Sequence, residues 1–140
     1  SAAAWWGGLS PRRLAAVRAF AGLPEAASLA AANKRIGNIL KKAEGEVEAK
    51  VNTALLQEAA EQALFEALGT VQPEADRLFE QGDHAGSLKA LAALKTPVDA
   101  FFDDVMVNAE DAQLRANRLG LLKTLHEAMN RVADLSRLAA

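Results

Sequence analysis

The chain has 140 residues, 51% of them hydrophobic, which suffices for one domain with a real core. It has no cysteine, which excludes disulfides, a thiolate nucleophile and cysteine metal sites and suits a reducing, cytoplasmic setting. The net charge of -2 is segregated: Lys and Arg number seven against one acid in residues 1–42, four against fifteen in 43–111, and five against two in 112–140, so a chain acidic in total can still turn a positive face to a polyanion.

Residues 1–8 show no helical period and no initiator methionine, so 1–9 read as a tail or an expression remnant ahead of one domain at 10–140. Trp5 and Trp6 are better explained by a tail tucked against the domain than by stacking on a base. Ser10 as N-cap, Pro11 at the first helical position and Gly22 as a stop predict a helix over 11–20, with Leu14, Val17 and Phe20 inward and Arg12, Arg13 and Arg18 outward. From Pro24 a second segment runs to Lys42, as one helix or a bent pair. At about 100° per residue, Leu29, Ile36, Ile39 and Leu40 share one arc, and Lys34, Arg35, Asn38, Lys41 and Lys42 share the opposite one. On composition alone that basic face is a solvated helix surface.

Residues 44–50 are charged and read as a linker. Asn52 or Thr53 then caps a helix over 53–68 with Leu55, Leu56, Ala59, Ala63, Leu64 and Leu68 inward. Residues 69–72 break it before Pro73 reopens a helix to Gln81, or one long helix kinks at Pro73. Asp83 caps 84–94, with Leu88, Leu91 and Leu94 inward. Thr96-Pro97 opens 97–107, with Val98, Phe101, Phe102 and Val105 inward, and Asp111 caps the last and longest helix, to about Leu138. No segment alternates like a strand. The expectation is an all-α fold, a single bundle of six to seven helices with a long C-terminal helix. No apolar run approaches the roughly 20 residues of a membrane span.

Catalytic constellations are absent from this pattern. His84 and His126 lack the i, i+4 partner of a helical metal site and read as surface or boundary histidines. Asp103-Asp104 and Glu110-Asp111 are neighbours that point about 100° apart, too far to share a proton readily. Asp111 and Arg115 have the order and spacing of a surface ion pair. Arg118 lies near the stripe of Leu114, Leu121 and Leu125, half-buried and paired with a carboxylate such as Asp103 or Asp104; Arg115 projects further outward.

Asp111-Ala112-Gln113-Leu114-Arg115, continuing through Asn117-Arg118-Leu119 to Leu121-Leu122, resembles the signature of the DALR anticodon-binding domain, an all-helical module of some aminoacyl-tRNA synthetases. Leu23-Pro24-Glu25-Ala26, the run from Leu29 to Leu40, and the run from Val98 to Val107 resemble the β-subunit family of bacterial glycyl-tRNA synthetases. Asn108 departs from this, standing where a more apolar residue would be natural. The resemblance implies a C-terminal anticodon-recognition domain, non-catalytic and without a cofactor of its own. Its parent chain would work with a separate catalytic α subunit to attach glycine to tRNA using ATP.

Charge and helical position then suggest roles. Lys34, Arg35, Lys41 and Lys42 hold the backbone of the anticodon stem, while Asn38, Arg115 and Asn117 lie near the bases. Two alternatives stay open. One is a helical protein-interaction module for subunit docking without RNA binding. The other is the same module from an arginyl-tRNA synthetase, against which the stretch from Asn33 to Leu40 argues.

Overall fold

The computed structural model describes residues 7–139, so the reading of Trp5 and Trp6 lies outside the described residues. Helix α1 (Pro11–Ala21) starts as its sequence dictates, with the Ser10 hydroxyl accepting the Arg13 N–H at 3.3 Å. Val17 and Phe20 are buried, whereas Leu14 is only half-buried and Ala16 fills the remaining core position. The chain then turns by 110° into α2 (Ala26–Lys42), which is one helix of 17 residues. Leu29 and Ile36 enter the core, and Ile39 and Leu40 flank it.

After the linker the expectation needs correction. Asn52 caps only a three-residue 3-10 turn, Thr53–Leu55, accepting the Ala54 N–H at 3.0 Å. The helix proper, α3 (Ala59–Glu80), begins six residues later, where the Glu61 carboxylate reaches back to the Glu58 N–H at 3.0 Å in capping-box fashion. The shift rotates the buried arc onto Ala60, Glu61, Leu64, Leu68, Val71 and Ala75, leaving Ala59 and Ala63 exposed. No break occurs at 69–72. Pro73 removes one backbone bond, but Gly69 and Pro73 both lie on the exposed side, where water can serve the orphaned carbonyl. At 22 residues α3 is longer than the C-terminal helix.

Gly82, at φ +82, makes the left-handed turn that ends α3, and Asp83 caps α4 (His84–Ala90) through the Gly86 N–H at 2.8 Å. The expected helix over 84–94 tightens to 3-10 at Leu91–Leu94, still burying Leu88, Leu91 and Leu94. It runs straight into α5 (Lys95–Asp104). That start precedes the predicted one because Pro97 falls within the first turn, where its missing N–H has no helical partner to lose. Phe101 is fully buried and Phe102 half-buried.

Helix α6 (Ala112–Met129) is capped by Asp111, whose carboxylate accepts the N–H groups of Gln113 and Leu114 at 2.8 and 3.0 Å. It stops well before Leu138. The Asn130 amide donates to the His126 carbonyl at 2.8 Å and accepts the Leu135 N–H at 3.2 Å, turning the chain into a 3-10 segment, Leu135–Leu138.

In the bundle α1 packs on α4, α3 on α4 and α5, and α2 on α6 and the C-terminal 3-10 segment. One apolar cluster joins them, built on Phe20, Leu64, Leu94, Phe101, Leu121 and Leu125. The described residues contain no strand, and no single helix among them is long and apolar enough to cross a membrane. The fold is all-α.

Candidate nucleic-acid interface

The outer face of α2 keeps the composition read from its periodicity. Lys34, Arg35, Asn38, Lys41 and Lys42 are all exposed, and among the described residues none of the four cations makes an ion pair. Lys41 and Lys42 occupy the last turn, where the helix dipole favours positive charge. Arg35 is less free than the lysines, because its guanidinium lies over the Phe102 ring, 4.3 Å from the centroid.

What holds this face in place is a polar link across the core. Asn33, fully buried, donates to the Asn130 side chain at 2.7 Å and accepts from it at 2.9 Å. A Cβ on Gly37 would stand 3.6 Å from Nε2 of His126. These two contacts set α2 and α6 antiparallel. Between them runs a groove of about 550 Å³, with Lys34, Asn38 and Lys41 on one wall and Lys123 and His126 on the other. Burial, followed by the nearby Lys123 charge, pushes the His126 imidazole below its ordinary value of 6.5. Lys123 and His126 join the candidate site only through this pairing, and nothing in their own sequence neighbourhood signals it.

The first half of α6 corrects the sequence reading. Arg115 does not pair with Asp111 and does not project outward. It is half-buried and donates to the carbonyl oxygens of Ala109 at 2.7 Å and Glu110 at 3.3 Å. Asn117 is 5% exposed, and its amide clasps the backbone of Asn52, accepting the N–H at 2.7 Å and donating to the carbonyl at 3.1 Å. It is therefore withdrawn from any base. Arg118 is buried rather than half-buried, and its partner is Glu61 of α3 at 3.0 Å rather than Asp103 or Asp104; it also donates to the Met106 carbonyl at 2.7 Å. Gly120 completes this packed face, since a Cβ there would collide with the carbonyl oxygen of Lys50.

The histidines behave differently from one another. His84 stacks on Phe79 with ring centroids 4.8 Å apart, and burial, then Arg13 and Arg12, lower its pKa. His126 has no side-chain hydrogen bond among the described residues and opens into the groove. No group of three or more His, Cys, Asp or Glu side chains among the described residues could hold a metal ion.

A sequence-family model described as the DALR anticodon binding domain matches residues 29–135, from the first turn of α2 to the C-terminal 3-10 segment. The chain belongs to the DALR anticodon-binding domain family. It is 78% identical over 130 residues to the glycine–tRNA ligase beta subunit of Leptothrix cholodnii, and 71% identical over 129 and 130 residues to those of Methylobacillus flagellatus and Dechloromonas aromatica. These alignments cover 93%, 92% and 93% of this chain. The chain spans only 18% of the length of each of these relatives. Within the DALR match, α2 supplies the four cations of the basic face and α6 the interior polar anchors.

Proposed function

We propose that this domain binds the anticodon stem-loop of a glycine tRNA, as part of a glycine–tRNA ligase β subunit, with the outer face of α2 as its contact surface. The observation that carries this reading is a helix face with four cations that form no ion pair among the described residues, in a DALR domain. Such cations suit phosphates, whose contacts give affinity and register, and Asn38 between them offers the donor and acceptor needed at a base edge. ATP-dependent attachment of glycine then belongs to the whole cytoplasmic ligase with its catalytic α subunit. The domain itself needs no cofactor for this role.

The test is a titration of the domain with glycine tRNA and with copies altered only in the anticodon, at two salt concentrations. Tighter binding to the unaltered tRNA is expected, whereas equal binding to all of them would reduce the domain to a holder of backbone. A second reading, docking of a protein subunit, draws on Met106, 71% exposed beside the exposed Asp103 and Asp104. It predicts no salt-sensitive RNA binding.

A further inference from the structure

We infer that the groove between α2 and α6 receives one unpaired nucleotide, with its base against His126 beneath Gly37 and its phosphate on Lys41 and Lys123. This rests on the RNA-binding reading above and adds to it a position for a base. The first observation is the glycine. Gly37 lies inside α2 with no positive φ, so backbone geometry does not require it, and in a helix interior glycine is less favourable than alanine by roughly 1 kcal/mol. A Cβ would meet His126 Nε2 at 3.6 Å, an ordinary contact, so packing does not forbid alanine either. What the missing side chain does is leave the imidazole edge uncovered in the groove.

The second observation is the state of that imidazole. His126 has no hydrogen bond from its side chain among the described residues, and burial and Lys123 favour its neutral form. A neutral imidazole has one donor and one acceptor and a flat face, which suits a base edge or a stacked base better than a phosphate. The third observation is polarity along the groove. The Asn33–Asn130 and Gly37–His126 contacts place Lys41 and Lys123 at one end and Asp134 at the other. Asp134 is already occupied, accepting from Ser136 and pairing with Arg137 at 3.6 Å. Lys34 stands at the Asp134 end, where the carboxylate offsets its charge, so the end with two lysines and no carboxylate suits a phosphate better. At about 550 Å³ the groove falls in the size range of ligand sites, roughly 300–1,000 Å³, and the Asn33–Asn130 link preforms it.

The probes are an RNA hairpin carrying the anticodon loop sequence of a glycine tRNA and a blunt RNA duplex with the same number of phosphates. The domain should favour the hairpin by roughly tenfold, the scale of one base contact. Gly37→Leu, which fills the groove without changing charge, and His126→Ala should each bring that preference close to unity while duplex binding stays unchanged. Gly37→Ala, favourable for the helix, should lose part of the preference with an unchanged or raised melting temperature. If the two larger changes keep the hairpin preference, or if the unaltered domain shows none, the groove does not hold a base and the basic face alone accounts for binding. If neither RNA binds with salt-dependent affinity, the RNA-binding reading falls together with this inference.

Discussion

The first half of α6 and the outer face of α2 carry the same kinds of side chain, arginine, lysine and asparagine at helical spacing, and the fold uses them in opposite ways. On α6, Arg115, Asn117 and Arg118 are drawn inward, where they serve carbonyl oxygens at 106, 109, 110 and 52 and one buried carboxylate, Glu61. On α2, Lys34, Lys41 and Lys42 meet no such acceptor and remain in water. The difference lies in the neighbours rather than in the residues. The irregular segments before α3 and after α5 meet the face of α6 with backbone groups that helices cannot satisfy, and buried polar groups must be paired. Among the described residues, no hydrogen bond or ion pair reaches the side chains of Lys34, Lys41 and Lys42 on the outer side of α2.

The largest effect is expected at the buried pair. Glu61→Ala or Arg118→Ala leaves an uncompensated charge inside the bundle and should destabilise the domain by about 3–5 kcal/mol, read as a lower urea midpoint. RNA affinity of the fraction still folded should not change, and a loss of affinity there would return Arg118 to the binding surface. Asn117→Ala comes next. It removes both partners of the Asn52 backbone and should cost about 1–3 kcal/mol, with faster amide exchange around residue 52 and unaltered RNA affinity.

The outer face responds in the reverse sense. The double change Lys41→Ala, Lys42→Ala should alter stability by no more than about 0.5 kcal/mol, yet weaken RNA binding and reduce the salt slope by roughly 1–2. Unchanged affinity and slope would remove phosphate contacts from these two lysines. The smallest effect is that of acid. His84 and His126 both titrate below 6.5 in the folded chain, so as pH falls through 6.5 the unfolded chain binds more protons and stability declines, with no contribution from either group at higher pH. Melting curves between pH 8 and pH 5 should show that decline, and a His84→Gln, His126→Gln variant should flatten it.

Several features were legible residue by residue. Ser10, Asp83 and Asp111 act as the caps their positions announce, because capping is a contact within three residues. The cations of α2 fall on one face because 3.6-residue periodicity needs no tertiary information. The start of α3 was misread for an equally local reason: Asn52 has the side chain of a cap, but the turn it caps lasts three residues and the Glu58–Glu61 contact begins the helix. Asn117 looked available because its partner, Asn52, lies 65 positions away. Lys123 carries no signal of its own in the sequence, and His126 reads there only as a surface or boundary histidine, because the wall that faces them belongs to α2.

Sequence alone therefore specifies the all-α class, several helix starts and the presence of a basic stripe, all of which depend on spacings of a few residues. Tertiary structure decides which polar side chains become interior fasteners and which remain open to a ligand. That choice turns on whether a distant segment brings an unsatisfied carbonyl, amide or carboxylate within hydrogen-bonding reach, and no spacing along a single helix encodes it.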